Sequence, residues 1–289
     1  MNIHRSDITR VTTVIVTYNR KDLLKRCLDA LLRQSYLPET ILIMDNASTD
    51  GTQSMLKHEY RKETRIRYQN LGRNIGGAGG FHYGALAAVA LGAEWVWMMD
   101  DDCLPDRDCL KNLLASAKNT RNIYAPIVLS IEDRKTPLWG VKAKPDSGVL
   151  PMAILPFNGF LIHTNSIKKI GPPEKNFFIY GDDAEYNFRA RKKGSRTLMV
   201  TSSRLYHPFK NNWKDGRFII MFTNQIWVYY KLRNAIILYQ KYGYYSTKQL
   251  IMLLAAFFTA FLTLRFDLIK LWFAAIVDGS TGRIYLKEM

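Results

Sequence analysis

The stretch VTTVIVTYNRKDLLKRCLDALLR (residues 11–33) sets the pattern of the chain. Its first seven residues are all β-branched, which favours a short strand that breaks at Asn19. Apolar side chains then recur at helical spacing on one face of residues 21–33, namely Leu24, Cys27, Leu28, Leu31 and Leu32. The stretch therefore predicts a strand followed by an amphipathic helix.

The same alternation continues along the chain. Further strands are predicted in ILIMDNASTDGT (41–52), near residues 66–68, in WVWMMDDDCLP (95–105) and in FNGFLIH (157–163). Helices are predicted at about 81–92 and from Pro105 to about Lys118. Alternating strands and helices predict an α/β fold with a mostly parallel sheet flanked by helices. Ligands of such sheets bind beyond the carboxyl ends of the strands.

The pattern changes near residue 215, where two aromatic helical segments begin. They are FIIMFTNQIWVYYKLRNAIILYQKYG (218–243) and LIMLLAAFFTAFLTL (250–264). We therefore expect a main α/β domain over residues 1–215 and a helical C-terminal region over residues 216–289. With 289 residues, 47% of them hydrophobic, the chain can bury a core of that size.

The charge balance points to anionic partners. There are 41 Lys and Arg against 25 Asp and Glu, a net charge of +16. Nucleic acid, phosphorylated small molecules and a membrane surface all fit this charge, but no RNA- or DNA-binding module is recognisable. The 15 apolar residues at 250–264, bounded by Lys248 and Arg265, fall short of the roughly 20 needed to span a bilayer. An interfacial helix fits them, as does a buried helix or a homo-oligomer interface.

Three consecutive carboxylates end the strand at residues 95–99. Asp100, Asp101 and Asp102 repel one another unless a cation joins them, and Mg²⁺ or Mn²⁺ prefers such oxygen ligands. In an extended chain Asp100 and Asp102 would point the same way and Asp101 elsewhere. A solvated acidic turn that caps the next helix is the alternative.

Three further motifs have a catalytic and an ordinary interpretation. The glycines of NLGRNIGGAGGFHYG (70–84) expose N–H groups to an anion or allow tight helix packing. In FFIYGDDAEYNFRARKKG (177–194), the acids Asp182, Asp183 and Glu185 supply a general base or cap a helix. His207 in SRLYHP is a metal ligand or a core imidazole, and a lone His is more often the latter.

Taken in order, these motifs resemble the inverting glycosyltransferase family 2, which has the GT-A fold. VIVTYNR, DNASTDGT, NIGGAGGF, MMDDD, GDDAEYNFR and a later His follow the arrangement of that family across about residues 10–210. NIGGAGGF and the triple aspartate are most similar to galactofuranosyltransferases that use UDP-galactofuranose. Rhamnosyltransferases of the same family are the alternative.

The resemblance implies a role for each matching residue. Asp100, Asp102 and His207 match the ligands of a Mn²⁺ or Mg²⁺ ion, and Asp183 matches the catalytic base. Asp182 and Glu185 would hold the acceptor or the donor sugar. The implied donor-binding residues are Thr17, Tyr18, Asn19, Arg20, Asp45, Asn74, Gly76, Gly77, Gly79, Gly80 and Asp101.

The implied activity is transfer of galactofuranose to a lipid-linked glycan in cell-surface polysaccharide synthesis, such as that of O-antigen. Such an enzyme would attach peripherally to the cytoplasmic face of an anionic membrane. Three cysteines without metal-site spacing are consistent with a reducing compartment. The competing classes are a basic nucleic-acid- or membrane-binding protein without catalysis, a nucleotidyltransferase, which would release pyrophosphate, and a catalytically inactive scaffold of the same family.

Overall fold

The first half of the chain folds as the alternation of its sequence predicts. The structure, a computed structural model, describes residues 9–139, 141–208, 224–244 and 246–284. The strands are β1 (Val11–Thr17), β2 (Thr40–Asp45), β3 (Ile66–Asn70) and β4 (Trp95–Asp100), and the helices between them are α1 (Lys21–Leu32), α2 (Thr52–Glu59) and α3 (Gly76–Ala90). The four strands pair in parallel in the order β3-β2-β1-β4. Their carboxyl ends therefore share one edge.

The second half adds an irregular set of strands to the same sheet. The strands are β5 (Leu104–Pro105), β6 (Ile123–Ser130), β7 (Val149–Pro151), β8 (Phe160–His163) and β9 (Thr197–His207), and the helices are α4 (Cys109–Ser116), α5 (Thr164–Ile170) and α6 (Asp182–Lys192). The sheet continues β4-β8-β6-β9-β5, with β7 beside β9. The β6–β9 pair is parallel, whereas β8 is antiparallel to both its neighbours and β9 is antiparallel to β5 and β7. The α/β class is confirmed, but the sheet is mostly parallel only in its first half.

Both faces of the sheet are covered by hydrophobic clusters. Ile15 and Trp97 face the cluster that includes α1 and α4, and Val14 and Met98 face the cluster that includes α3. Burial on both faces explains why β1 and β4 are nearly continuous apolar runs.

The C-terminal region forms three helices, α7 (Gln225–Tyr242), α8 (Thr247–Leu262) and α9 (Phe266–Ser280). The sequence predicted α7 and α8, whereas α9 was not predicted. A separate apolar cluster joins the three helices to Phe178, Ile179 and Tyr180 of the main domain. The predicted boundary near residue 215 lies outside the described residues. No described helix is both long enough and apolar enough to cross a bilayer.

Candidate active site

A cleft of about 610 Å³ opens at the carboxyl ends of β1 and β4. One wall consists of the chain after β1 and the start of α3, and the opposite wall consists of residues 178–183 and part of α7. The predicted site residues that line it are Thr17, Tyr18, Arg20, Asn74, Gly76, Gly77, Asp100, Asp101, Asp182 and Asp183. The fold thus brings these residues from four separate segments into one cavity.

Arg20 contacts two members of the aspartate triplet at the floor of the cleft. Arg20 Nη1 donates to Asp101 Oδ1 at 3.3 Å and to Asp102 Oδ2 at 3.0 Å. Asp101 is 2% exposed, and its Oδ2 accepts a hydrogen bond from Thr17 Oγ1 at 2.7 Å. Asp101 does not point away from Asp102 as an extended chain would require, because β4 ends at Asp100 and the chain turns there. Asp101 and Asp102 share Arg20 instead.

The three carboxylates have unequal proton affinities. Burial, followed by the charges of Asp102 and Asp101, raises the pKa of Asp100 well above its ordinary value. Burial also raises the pKa of Asp101 to about 6, although Arg20 and Thr17 oppose the rise. Burial alone would raise the pKa of Asp102 too, but His207 and Arg20 hold that pKa below its ordinary value. One guanidinium does not balance three adjacent acids, so the cluster favours an additional cation.

His207, at the end of β9, lies beside this cluster. Its Nδ1 is 2.8 Å from the carbonyl oxygen of Pro208, and its Nε2 is 3.0 Å from Asp102 Oδ1. If Nδ1 donates to the carbonyl, Nε2 carries a lone pair that faces a carboxylate, an arrangement that a bound cation or a second proton would stabilise. Asp102 Oδ1 is buried and has no well-formed hydrogen bond within the described part of the chain. His207 is therefore not the apolar-core imidazole that a lone histidine suggests.

The chemistry of these side chains fits a divalent cation, but their positions do not surround a common point. Two carboxylates and an imidazole form a donor set that Mg²⁺ or Mn²⁺ accepts. Across residues 9–208 and 224–284 as described, no group of three His, Cys, Asp or Glu side chains surrounds a common point. The structure brings Asp102 and His207 together, and Asp100 lines the cleft, whereas Asp102 and His207 are not among the residues that line it.

The second acid pair begins α6 on the opposite wall. It follows a tight segment in which Phe178, Tyr180 and Gly181 have φ angles of 64°, 68° and 84°. Burial, followed by the charge of Asp183, raises the pKa of Asp182 to about 7. Burial also raises the pKa of Asp183, against the opposing effects of the Ala184 N–H group and Lys231. Because the two carboxyl groups affect each other, a proton is retained by the pair near neutral pH.

The glycine motif divides into a cleft-lining part and a packing part. Gly76 has a φ of +77°, and a Cβ there would lie 2.1 Å from the carbonyl oxygen of Phe178, so only glycine fits. Gly79 and Gly80 do not line the cleft, which corrects their prediction as donor-binding residues. A Cβ at Gly80 would lie 2.5 Å from Val16, and a Cβ at Gly79 would collide with the side chain of Ile75. These two glycines allow α3 to pack closely, the ordinary interpretation of the motif.

Two predicted donor-binding residues, Asn19 and Asp45, lie outside the lining of the cleft. Asn19 Oδ1 accepts a hydrogen bond from the Thr49 N–H group at 2.7 Å and thereby fixes the turn after β2. Asp45 is fully buried, and its carboxylate accepts hydrogen bonds from Tyr68 Oη at 2.7 Å and Ser48 Oγ at 2.6 Å. The Asp45 carboxylate would have to exchange these partners in order to contact a nucleotide.

Glu185 also points away from the cleft. Its carboxylate accepts hydrogen bonds from Arg189 Nη2 at 2.9 Å and from Tyr242 Oη at 2.9 Å. The side chain is 3% exposed. In this geometry Glu185 is not placed to contact a sugar directly. The contacts of Glu185 instead join α6 to α7.

Sequence reasoning missed the contribution of α7. Asn234 Nδ2 donates to the carbonyl oxygens of Phe177, Ile179 and Tyr180 at 3.0, 3.0 and 2.8 Å. Arg233 Nη2 donates to the carbonyl oxygen of Asn176 at 2.7 Å, and the Arg233 side chain is fully buried. The two residues hold the backbone immediately before the acid pair. The sequence signal that could have revealed this role is the polar pair Arg233 and Asn234 inside a mostly apolar helical segment.

Other missed residues line the cleft without any recognisable motif. They are Trp139, Phe157, Asn158, Phe178, Ile179, Tyr180, Ile226 and Lys231. Trp139 lies between β6 and β7, and its ring centroid lies 5.5 Å from that of His207.

The chain is similar to known glycosyltransferases in sequence. The model of the family described as Glycosyl transferase family 2 matches residues 12–195. The galactofuranosyltransferase GlfT1 of Mycobacterium tuberculosis (strain ATCC 25618 / H37Rv) is 36% identical over 215 residues, which cover 68% of this chain and 70% of that protein. The GlfT1 of Mycolicibacterium smegmatis (strain ATCC 700084 / mc(2)155) is 29% identical over 216 residues, with the same coverage of each chain.

Solved structures share the fold at low sequence identity. GalNAc-T7, crystallised with UDP, GalNAc and Mn²⁺, superposes with a TM-score of 0.62 at 16% identity; the match covers 81% of this chain and 48% of that one. The mannosyltransferase PcManGT of Pyrobaculum calidifontis, in complex with GDP-Man and Mn²⁺, superposes with a TM-score of 0.58 at 16% identity and covers 94% and 75%. Both likenesses concern the fold, which is GT-A. Because the family model covers the strands, the aspartate triplet and the acid pair that build this cleft, the chain belongs to glycosyltransferase family 2 and is a glycosyltransferase.

Proposed function

We propose that this glycosyltransferase transfers galactofuranose from UDP-galactofuranose to a lipid-linked glycan, with inversion at the anomeric carbon. The observation that carries the proposal is the single cleft that Arg20, Asp100, Asp101 and the acid pair line together, with Asp102 bonded to Arg20 beside it. The two GlfT1 relatives, both named galactofuranosyltransferases, support the choice of sugar. Transfer of rhamnose by the same residues is the second candidate, because rhamnosyltransferases share these motifs.

The floor and the first wall of the cleft would bind the donor. Departure of the nucleoside diphosphate builds negative charge on its oxygens, and the Arg20 guanidinium lies in the cleft where it can stabilise that charge. The backbone of Gly76 and Gly77 approaches the cavity without side chains, which leaves room for a diphosphate or a sugar. Asp101 would act by holding Thr17 and Arg20 in place.

The proposed cofactor is Mn²⁺ or Mg²⁺. Asp100, Asp102 and His207 would hold the ion, which would neutralise charge on the leaving diphosphate. The 3.0 Å approach of His207 Nε2 to Asp102 Oδ1, a buried oxygen with no well-formed hydrogen bond within the described part of the chain, supports this assignment.

The second wall would supply the base. Asp183 would accept the proton of the acceptor hydroxyl while that oxygen attacks the anomeric carbon, and a single displacement would invert its configuration. Asp182, whose pKa burial and the charge of Asp183 raise to about 7, would orient the acceptor or the donor sugar. Glu185, bonded to Arg189, would act by fixing α6.

The test of this function is an assay of UDP release with a panel of nucleotide sugars, with and without Mn²⁺. UDP-galactofuranose should be the preferred donor, and nucleoside diphosphate rather than pyrophosphate should be released. Asp183→Asn should lower turnover by roughly two to four orders of magnitude and leave donor binding nearly unchanged. Asp22→Asn, on the exposed surface of α1, is the matched control. Near-normal transfer by Asp183→Asn would remove Asp183 from the role of base.

The C-terminal helices would attach the enzyme to the cytoplasmic face of a membrane. Apolar side chains that are more than half exposed cluster on α8 and around its C-terminal end; they include Ile251, Phe258, Phe261, Leu262, Leu264 and Phe266. Exposed apolar area of this kind marks an interaction surface, and the net charge of +16 is complementary to anionic lipid. Arg265, one of the two predicted basic flanks, is bonded to Asp267, and the side chain of Lys248 lies outside the described residues. A homo-oligomer that uses the same surface is the competing outcome.

Flotation with phosphatidylglycerol-containing vesicles tests the membrane proposal. The chain should float at low salt, and the double variant Phe258→Glu with Phe261→Glu should remain at the bottom of the gradient. Leu86→Glu, at a half-exposed apolar position of α3, should float like the unaltered chain. Recovery of the unaltered chain entirely in the vesicle-free fraction would count against the proposal, and concentration-dependent self-association would indicate the oligomer instead.

The limits of the two units, residues 1–215 and 216–289, stay a prediction. The contacts of α7 with residues 176–180 suggest that the two units act together.

A further inference from the structure

Lys231 brings a positive charge from the helical region into the cleft. It lies on α7, outside residues 12–195 that the family model matches, and it lines the cleft together with Tyr180, Asp182 and Asp183. Its side chain is partly buried, and Nζ lies 5.1 Å from the centroid of the Tyr180 ring. That distance is within the range of a cation–π contact, which fixes the position of the ammonium above one wall.

The ammonium retains free hydrogen-bonding capacity. Within the described part of the chain, no hydrogen bond or salt bridge of Lys231 is formed, so its three N–H groups remain available to a bound ligand or to water. Partial burial of a charge is costly unless neighbouring groups of opposite charge offset it.

The groups that face Lys231 are the two carboxyls of the acid pair. Burial lowers the pKa of Lys231, whereas Asp183 and then Asp182 raise it. In return, Lys231 lowers the pKa of Asp183, which burial raises. Burial, followed by the charge of Asp183, also raises the pKa of the Tyr244 hydroxyl. The ammonium is thus the cation through which α7 influences the ionisation of the proposed base.

We propose that Lys231 is a further positioning residue of this active site, whose ammonium keeps Asp183 in its carboxylate form while Asp182 holds the shared proton. The proposal rests on the proposed role of Asp183 as the base. A carboxylate next to a second acid in a closed cleft would otherwise gain a proton at a pH at which it must accept one.

The test is the pH dependence of kcat/KM for sugar transfer. In Lys231→Met, the acidic limb of the profile should move up by about one pH unit, because the base loses its nearest cation. At pH values below that limb the variant should be about tenfold slower than the unaltered enzyme, and the two rates should converge as the pH rises. Lys231→Arg keeps the charge and should keep the original limb. Lys241→Met, at an exposed position near the end of α7, is the matched control.

The outcomes separate this proposal from the proposed function. An unchanged acidic limb in Lys231→Met, with Asp183→Asn inactive, would overturn the role of Lys231 alone. A loss of equal size at every pH would overturn it too, because it would indicate a steric role. Transfer retained by Asp183→Asn would instead overturn the base assignment. Should Lys231→Met fail to fold, as judged by circular dichroism, Lys231→Gln provides the second uncharged variant for the same comparison.

Discussion

Replacing Asn234 by Ala should destabilise the fold, because Asn234 holds the backbone of the cleft wall although it does not line the cleft. The Nδ2 group supplies two N–H donors to the carbonyl oxygens of Phe177, Ile179 and Tyr180, and Asn234 Oδ1 accepts from Arg233 at 2.7 Å. At about 1 kcal/mol for each donor, the lost hydrogen bonds cost about 2 kcal/mol. A buried carbonyl left without a donor adds at least about 1 kcal/mol. We therefore expect Asn234→Ala to lower the free energy of unfolding by about 3 kcal/mol.

Urea unfolding followed by tryptophan fluorescence measures this free energy. Gln240→Ala is the matched control on the same helix, since it removes a single exposed hydrogen bond to the carbonyl oxygen of Ser280 and should cost less than about 0.5 kcal/mol. A second readout is turnover under conditions in which Asn234→Ala is fully folded, where we expect a loss because the acid pair is no longer held. Stability within about 0.5 kcal/mol of the unaltered chain, together with full turnover, would refute this account of α7.

Three further predictions concern the cleft itself. Gly76→Ala should destabilise the fold by several kcal/mol because its Cβ would collide with the Phe178 carbonyl, whereas Gly77→Ala, with no atom within 4 Å of its Cβ, should melt like the unaltered chain; equal melting temperatures would refute this. The raised pKa of Asp182, about 7, means that the folded state binds a proton more tightly than the unfolded state, so this group costs stability as pH rises from about 4 to 7. Asp182→Asn should therefore melt at a higher temperature at pH 8 in EDTA, with a difference that shrinks toward pH 4; a constant difference would contradict it. Arg20→Met should raise the KM for the nucleotide sugar at least about tenfold, measured by UDP release, and an unchanged KM would exclude Arg20 from donor binding.

Local sequence patterns were enough to predict the first half of the sheet. The β-branched run at 11–17 and the apolar run before Asp100 each form a strand, and the glycine-rich segment begins a helix. Each of these elements has its own hydrophobic pattern, so periodicity locates it without knowledge of which strands pair. The antiparallel insertion of β8 between β4 and β6 depends on pairing across about 60 residues, which periodicity does not encode.

The sequence predicted site residues correctly where they belong to a motif. It did not predict which residues tertiary contacts bring into the cleft or keep out of it. Arg20 and Asp183 line the cleft as the motifs indicate. Gly80 belongs to a motif too, but its backbone faces β1 and not the cavity, a distinction that depends on the packing angle of α3. Lys231 belongs to no motif, and its position follows from how α7 docks against residues 176–180.

The left-handed residues Phe178 and Tyr180 have a consequence for biosynthesis. A nascent chain of about 200 residues already contains every family motif, yet the carbonyl groups around these two residues find their donor only when Asn234 emerges from the ribosome. Until then nothing from the end of the chain restrains this costly backbone conformation. Ordering of the segment before the acid pair therefore waits for α7, a helix that the ribosome makes after all the motifs from which the cleft is built.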